Sequence, residues 1–414
     1  MTKRIVVTGL GALTPIGLNV SEYWNNLLKG VSGAAPITKF DTESFKTKFA
    51  CELKGFNIEG FLNKKEIRQY EPVTQYALVA VDQALKDAGL SEENIDAERT
   101  GVIWGTGNGG MQTMDEELSK LFRSDYADKP SPYFMPKILV NMASGIISIK
   151  FGLKGVCHTT VSACASANTS IIEAANYLRL GKADVMVCGG SEAPITASLV
   201  SGFNSLKALS TDNENPEKAS RPFDKDRGGF VMGEGSGAFI LETYEHAKAR
   251  GARIYAELTG SGATADAHHL TATHPEGEGA FRAMKEAVEE ARISPKEVSY
   301  INAHATSTKV GDLSEAKAIG KLFGKNVIVG ATKSMTGHLL GAAGALEGIA
   351  SVLSVFNDQI PPMVNLDETD EQIEELINIA ATKATQTKVQ HVISNNFGFG
   401  GHNASVLFSK VIKD

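Results

Sequence analysis

Cysteine is scarce in this chain: Cys51, Cys157, Cys164 and Cys188 are the 4 among 414 residues, and no two stand in a C-x-x-C pair. That excludes a disulfide framework and a paired-thiolate zinc site, and makes a reducing cytoplasm the expected compartment. Excess positive charge is also missing, since 41 basic residues stand against 48 acidic ones for a net charge of -7. A nucleic-acid binder carried by bulk charge is excluded with it, while local basic patches stay open. The chain enters a strand pattern at once with Arg4-Ile5-Val6-Val7-Thr8, without an apolar stretch and small-residue cleavage site, so no secretory leader is expected. The stretch most like a membrane span, His338 to Phe356, is rich in Gly and Ala and carries Glu347 in its middle, which reads as a buried helix. Low-complexity tracts and long linkers are lacking as well.

What is present is an alternation of short apolar β-rich runs with helical patterns. The runs are Arg4–Thr8, Gly101–Trp104, Val185–Cys188, Ala238–Glu242, Ile254–Gly260, Val298–Ala303, Val327–Ala331 and His391–Ser394. Several are continuously apolar rather than alternating, which predicts strands covered by helices on both faces and an α/β fold. The segment Lys3 to Gly11 echoes Ala252 to Gly260, and each is followed by an amphipathic helix, Gln75–Ala88 or Ala280–Ala291, and then a strand. Two duplicated halves are therefore expected, 1–250 and 251–414. The first is longer by roughly Met111 to Met142, a proline-bearing stretch that reads as an inserted lid or interface segment.

Cys164 lies in Val161-Ser162-Ala163-Cys164-Ala165-Ser166, where a β-branched run gives way to a small-residue helical pattern. A thiol at a helix start is stabilised as the anion, and such sites bring its pKa from about 8.5 into the range of about 3.5 to 7.5. It reads as a nucleophile, although an unpaired cysteine is as commonly an inert core residue. His304 follows an apparent strand and precedes Thr306-Ser307-Thr308, and His338 opens the long helix after Gly337. Either alone would more often be structural, but two histidines with a cysteine suggest acyl chemistry. Lys333 suits a surface or a cleft; its helix-start setting favours the cleft, where its charge would stabilise anions. Glu347, on the same helix as His338, is expected to pair with Lys333 or another polar group. Asp312 and Glu315 read as helix N-terminal acids. The loop Asn396-Phe397-Gly398-Phe399-Gly400-Gly401 has too many glycines for a strand; it can bring a backbone N–H to a reacting carbonyl, or be a simple turn.

Two rival readings carry less. Gly105-Thr106-Gly107-Asn108-Gly109-Gly110 fits the glycine pattern of a nicotinamide or flavin site, but no second parallel strand is evident after its helix. His268, His269 and His274 cluster without the Cys or acidic ligands of a metal site and read as a loop.

With these motifs in order, the chain resembles the β-ketoacyl-[acyl-carrier-protein] synthases of the type II elongating class. The resemblance rests on Ser162-Ala163-Cys164-Ala165-Ser166, Asn302 to Thr308, Thr332 to Ala342 and Phe397 to Gly401. Arg221-Pro222-Phe223-Asp224 and Gly229 to Gly235 support it. It implies an α/β thiolase fold: two duplicated βαβαβαββ halves in a five-layered αβαβα arrangement, as a homodimer without nucleic-acid or membrane partners. It implies an acyltransferase with no cofactor or metal of its own, phosphopantetheine arriving on acyl carrier protein. Cys164 would take the acyl chain as a thioester, and His304 and His338 would assist decarboxylation of malonyl-carrier protein. Lys333 would tune the histidines. The backbone amides of Cys164 and Phe399 would form an oxyanion hole, and the Phe399 side chain would gate the pocket. Thr271, Thr306 and Thr308 would contact the phosphopantetheine arm, with Asp312, Glu315 and Glu347 in support.

Lys65, Arg68, Lys129 and Lys207 are candidates to meet an acidic carrier, with an ordinary solvated surface the alternative for each, and Lys65 and Arg68 align with the family's docking motif. Gln69 stands where the family commonly has a base, and the stretch around Lys129 is altered. Asn108 occupies a pocket position where the family commonly carries Ile, and Ala305 and Ala167 replace glycines. These departures bear on specificity more than activity, since a methyl is accommodated unless the backbone needs positive φ. A polyketide ketosynthase subunit, or a silent partner like the chain-length factors, is the alternative; the retained Cys164 opposes the second.

Overall fold

In the computed structural model, which describes residues 3–412, the apolar runs assemble into one sheet of eleven strands. These are β1 (Ile5–Leu13), β2 (Thr100–Gly105), β3 (Cys157–Thr160), β4 (Val185–Glu192), β5 (Gly235–Thr243), β6 (Ala256–Ala265), β7 (Tyr300–Asn302), β8 (Ile328–Gly330), β9 (Asn378–Ile379), β10 (His391–Gly398) and β11 (His402–Ser409). Their order is β9-β8-β7-β10-β11-β6-β1-β5-β4-β2-β3. Leaving out the short outer β9, the order is a palindrome. The half β3-β2-β4-β5-β1 is answered by β8-β7-β10-β11-β6, with the same parallel and antiparallel pairings.

The helices are α1 (Val20–Leu28), α2 (Lys64–Gln69), α3 (Pro72–Asp87), α4 (Met111–Arg123), α5 (Phe134–Ile138), α6 (Met142–Phe151), α7 (Ser166–Arg179), α8 (Ala197–Ser205), α9 (Tyr244–Ala249), α10 (Glu278–Ala291), α11 (Lys309–Phe323), α12 (Lys333–Thr336), α13 (Ala343–Asn357) and α14 (Glu371–Glu374). α3 and α6 cover the outer face of the first half, α10 and α11 that of the second, and α7 and α13 fill the space between. This is the five-layered αβαβα arrangement. α13 is apolar on every side because strands from both halves and α7 enclose it, and 89% of the stretch Leu340–Asn357 is buried.

The duplication reaches the packing. On β1, a Cβ at Gly9 or Gly11 would stand 2.2 or 1.9 Å from the carbonyls of Ala84 and Ala80 on α3. On β6, a Cβ at Gly260 or Gly262 would stand 2.0 Å from those of Ala287 and Ala283 on α10. Each helix lies on a glycine stripe that lets its backbone touch the strand. An offset of 251 residues maps Gly9 onto Gly260, Gly11 onto Gly262, and Val6 onto Glu257, its own partner across the β1–β6 pairing. The repeat is thus two residues out of step with the alignment of Lys3 with Ala252. The apolar echo placed it there, but the glycine contacts fix the register.

Three other expectations change. β3 does return parallel to β2 after the α4–α6 excursion, so the glycine loop after β2 does sit in a parallel crossover. Asn396 to Gly398 are strand, leaving Phe399 to Gly401 as the turn, with Gly400 and Gly401 at φ +87° and +78°. β11 was hidden because its buried positions include Asn403 and Ser405, polar residues that break the apolar signal. His338 does not open the long helix: α12 ends at Gly337, whose φ of +67° turns the chain, and His338 is extended, bonded through its N–H to Val231 and its carbonyl to Gly233. Glu347 alone rides on α13.

Both central helices begin with a single 3₁₀ turn led by a non-glycine residue at positive φ. The turns are Ala163–Ala165 before α7, with Ala163 at +50°, and Leu340–Ala342 before α13, with Leu340 at +46°; the two turns touch.

Gly11→Ala and Gly262→Ala are each expected to lower stability by about 1–3 kcal/mol through overpacking, read from the denaturant midpoint. A tolerated methyl at either position would show that its helix does not rest on the strand backbone.

Candidate active site

The polar segments that follow strands in sequence converge where the two 3₁₀ turns meet. A cavity of about 380 Å³ is lined there by Cys164, His304, His338, Phe399, Asn108, Thr271, Thr306 and Thr308, with Phe203, Leu206, Phe230 and Leu340 among its apolar walls.

Cys164 is held on the turn between β3 and α7, and the strained Ala163 aims it out of the core. Gly398, at the end of β10, presses against this turn: a Cβ there would lie 2.5 Å from the Ser162 carbonyl oxygen and 3.1 Å from the Cys164 nitrogen. The glycine therefore serves close approach between the two halves. His304 follows β7, and its backbone N–H and that of Ala305 donate to the two oxygens of Glu315 on α11 at 2.9 and 2.8 Å. Glu315 also accepts from Asn395 Nδ2 at 3.1 Å. Asp312 accepts from the Phe223 and Thr308 backbone N–H groups at 2.9 and 3.2 Å, and burial pushes its carboxyl up to about 7. Asp312 stands in the first turn of α11, as expected of a helix-start acid, while Glu315 lies further along the helix; both are fully enclosed and prop the loops around the cavity.

His338 Nε2 lies 3.1 Å from Cys164 Sγ. The two imidazoles meet edge to face with centroids 5.3 Å apart, and Phe230 meets His338 in the same way at 5.4 Å. Behind them Lys333, 1% exposed, is paired with Glu347 Oε1. The other Glu347 oxygen accepts from Asn396 Nδ2 at 2.8 Å, and that nitrogen is 3.5 Å from His304 Nδ1.

Burial and then the Lys333 charge hold both histidines well below the usual imidazole range, so both are neutral near pH 7. Burial likewise pushes the Cys164 thiol up to about 12, with Lys333 acting against it. The expectation of a depressed thiol is therefore overturned: desolvation outweighs the helix start, and the resting couple is a thiol beside an imidazole. Glu347 is raised by burial, and Lys333 and Asn396 oppose the shift.

Thr306 Oγ1 and Thr308 Oγ1 are 3.1 Å apart on one wall, and Thr271 stands on a facing loop held by His269 Nδ1. Phe399 is 37% exposed at the mouth, tilted toward Phe203 at 6.5 Å. Ala305 and Ala167 are buried at negative φ, so their methyl groups are accommodated. Of the basic residues, Lys207 is exposed between Leu206 and Ala208 of the rim; Lys65 and Arg68 on α2 and Lys129 are exposed but line no part of the cavity. His268 and His274 meet edge to face at 5.1 Å in the Thr271 loop. Among the described residues no group of three or more His, Cys, Asp or Glu side chains converges to hold a metal ion.

Sequence reasoning missed Glu192, Asn396 as the link between Glu347 and His304, and the aromatic walls Phe203 and Phe230. Glu192 left a signal: it is a lone charge closing the apolar run that begins at Val185, at a strand end.

The sequence matches the family models described as Beta-ketoacyl synthase, N-terminal domain, over residues 2–247 and Beta-ketoacyl synthase, C-terminal domain, over 255–367. It is 48% identical over 411 residues to a 3-oxoacyl-[acyl-carrier-protein] synthase 2 of Staphylococcus aureus (strain N315), covering 99% of this chain and 98% of that one. Among solved structures it is similar to the ishigamide ketosynthase/chain length factor, with TM-score 0.94 and 34% identity over the whole of both chains. The AntDE:AntF structure, described as a type II PKS acyl-carrier protein in complex with its ketosynthase bound to the hexaketide, matches with TM-score 0.91 and 30% identity, also over the whole of both chains.

With the thiol near 12, carboxamidomethylation of the Cys164 peptide should accelerate about tenfold per pH unit from about pH 7 to 9, following the thiolate fraction. A plateau below about pH 8 would mean a thiolate already formed at neutrality.

Proposed function

The chain belongs to the beta-ketoacyl synthase family, and from that footing we propose that it elongates fatty acyl chains by two carbons as a 3-oxoacyl-[acyl-carrier-protein] synthase. The observation that carries this reading is the neutral His338 imidazole 3.1 Å from the Cys164 thiol, with neutral His304 beside it and a buried ammonium behind. Cys164 Sγ attacks the thioester of acyl-carrier protein, its proton leaving through His338, and the carrier thiol departs. Malonyl-carrier protein then binds and loses carbon dioxide, and the enolate oxygen is met by imidazole N–H donors that are worth most when that charge exists. The enolate carbon attacks the Cys164 thioester, the backbone N–H groups of Cys164 and Phe399 receive the oxyanion, and the C–S bond breaks. This releases 3-oxoacyl-carrier protein and returns the sulphur to its thiol after it takes up a proton.

Two imidazoles held neutral suit an enolate better than hydrolysis. A hydrolase would need a base oriented by a carboxylate or amide to activate water. Thr271, Thr306 and Thr308 line the side where the phosphopantetheine arm would enter, and Phe399 stands where it can gate the acyl space. Acyl carrier protein is the partner, and a solved relative described as carrying one supports this. Lys207 at the rim is the first docking candidate, with Lys65, Arg68 and Lys129 beyond it. Cys164, intact among its partners, argues against a silent chain-length-factor role. The four cysteines are all unpaired, which suits a cytoplasmic enzyme. Residues 1–250 and 251–414 are the two duplicated units.

The chain acts as a homodimer. β3 is an unpaired sheet edge, and Met135, Leu139, Ile149 and Val161 nearby are 46% to 74% exposed, an apolar surface that a second copy would cover. Light scattering is expected to give twice the 44.0 kDa chain mass, and Ile149→Lys to give the monomer. A monomeric wild type would refute the assembly.

Incubation with acyl-carrier protein is expected to add the acyl mass to the Cys164 peptide, and malonyl-carrier protein to convert it to a product longer by two carbons. Cys164→Ala should abolish both steps. His304→Ala should spare acylation and slow condensation by at least about a hundredfold. Acylation without elongation would leave a transferase rather than a condensing enzyme.

A further inference from the structure

Arg227, between α8 and β5, is a cation sealed from water at 1% exposed, yet it lines no part of the cavity and the chemistry does not use it. Its Nε donates to the Thr308 carbonyl at 3.1 Å and its Nη2 to the Lys309 carbonyl at 2.8 Å. Nη1 donates to the Asp224 carbonyl and to Asp370 Oδ2, each at 2.8 Å, and Asp312 Oδ2 lies 3.6 Å from Nε. A guanidinium has the forked donors to hold two successive carbonyls at once; an ammonium does not. The placement does nothing for the helix as a dipole. Thr308 and Lys309 open α11, and a positive charge opposes the field of a helix start. What the contact does is fix where the first turn of α11 lies.

That turn has an unspent cap. Thr308 is the residue before α11, in the extended backbone (φ -105°, ψ 141°) from which a threonine hydroxyl normally caps the helix, but its side chain makes no capping bond. Thr308 Oγ1 instead stands 3.1 Å from Thr306 Oγ1 on the cavity wall. Gly311 leaves the room for it, since a Cβ there would lie 2.5 Å from Thr308 Oγ1. Between the two threonines Ser307 takes φ +70°, a conformation that a β-carbon disfavours. The Arg221 N–H holds its Oγ at 3.0 Å and the Gly229 N–H holds its carbonyl at 2.9 Å. The strained link and the uncapped hydroxyl are therefore both gripped by one segment of the first half, Arg221 to Gly229.

We propose that Arg227 positions the phosphopantetheine arm without touching it. By gripping the Thr308 and Lys309 carbonyls it keeps the Thr308 hydroxyl from closing onto α11 as a cap, so that Thr306 and Thr308 stay turned to the cavity for the amides of the arm. This rests on the reading that the arm lies along those threonines. A loosened first turn lets the hydroxyl take the capping role its backbone already favours, and the arm loses a partner. Arg227 is thus a positioning residue: its loss weakens binding of the carrier-borne substrate and leaves bond making at Cys164 alone.

The test is a double-mutant cycle on condensation, with malonyl-carrier protein as the varied substrate. Thr308→Val, and Arg227→Lys, which keeps the charge but loses the fork, are each expected to raise KM at least about fivefold with kcat within about twofold. The double variant is expected to match the more affected single one, because a hydroxyl already absent cannot be misplaced. Asp370→Ala removes the acceptor that holds Nη1 from outside the cavity; it should raise KM about two- to threefold and stands in if Arg227→Lys does not fold. Alkylation of Cys164 within about twofold of the wild-type rate reports an intact site. If Thr308→Val raises KM but the changes at Arg227 and Asp370 leave it unmoved, act on kcat instead, or multiply with Thr308→Val, the positioning role is overturned and the arm reading stands. A Thr308→Val enzyme with wild-type KM would remove both.

Discussion

Lys333 carries a positive charge into a space almost without water, and Glu347 is what lets it stay there. Isolated, either ion would cost several kcal/mol to bury; together they offset much of that cost without making the protein more stable than an apolar pair would. The return is electrostatic. Burial, aided by the field of the ammonium, holds the two imidazoles in their uncharged form, and the same field favours the anions the chemistry creates, first sulphur and then enolate oxygen. Glu347 spends its second oxygen on Asn396, so the ion pair also fixes the amide that faces His304.

The same low dielectric explains the reactivity expected of Cys164 at each stage. A helix start alone argues for a thiolate, but Cys164 is half-buried against apolar walls that include Phe230 and Leu340, and that desolvation pushes the thiol up. The nucleophile is thus dormant until a proton has somewhere to go. A site of this kind limits adventitious oxidation and alkylation, because the reactive form is the thiolate.

Much of this was legible in the chain itself. Cys164, His304 and Lys333 each mark a strand-to-helix junction, and His338 follows a glycine turn between two helices; strand ends are where a duplicated α/β fold gathers its groups. What stayed hidden shares one cause. Glu192, Asn396, Asn403 and Ser405 are polar residues on buried strand positions, and periodicity treats a polar residue as exposed. Asn396 and Glu192 acquire meaning only through partners 49 and 84 positions away in the chain. The docking lysines stay unresolved for the opposite reason: exposed charges carry no pattern that separates a carrier-binding surface from a solvated one.

The paired 3₁₀ turns show what became of the duplication. Ala163 and Leu340, both forced into left-handed backbone, hold the same station in the two halves, and the residue after each has taken a different trade. In one copy it is Cys164; in the other it is Gly341, whose only polar offering is a backbone N–H to Glu192. One half thus carries the sulphur while the other supplies both imidazoles and the ammonium behind them, so the reacting set exists only where the two halves meet.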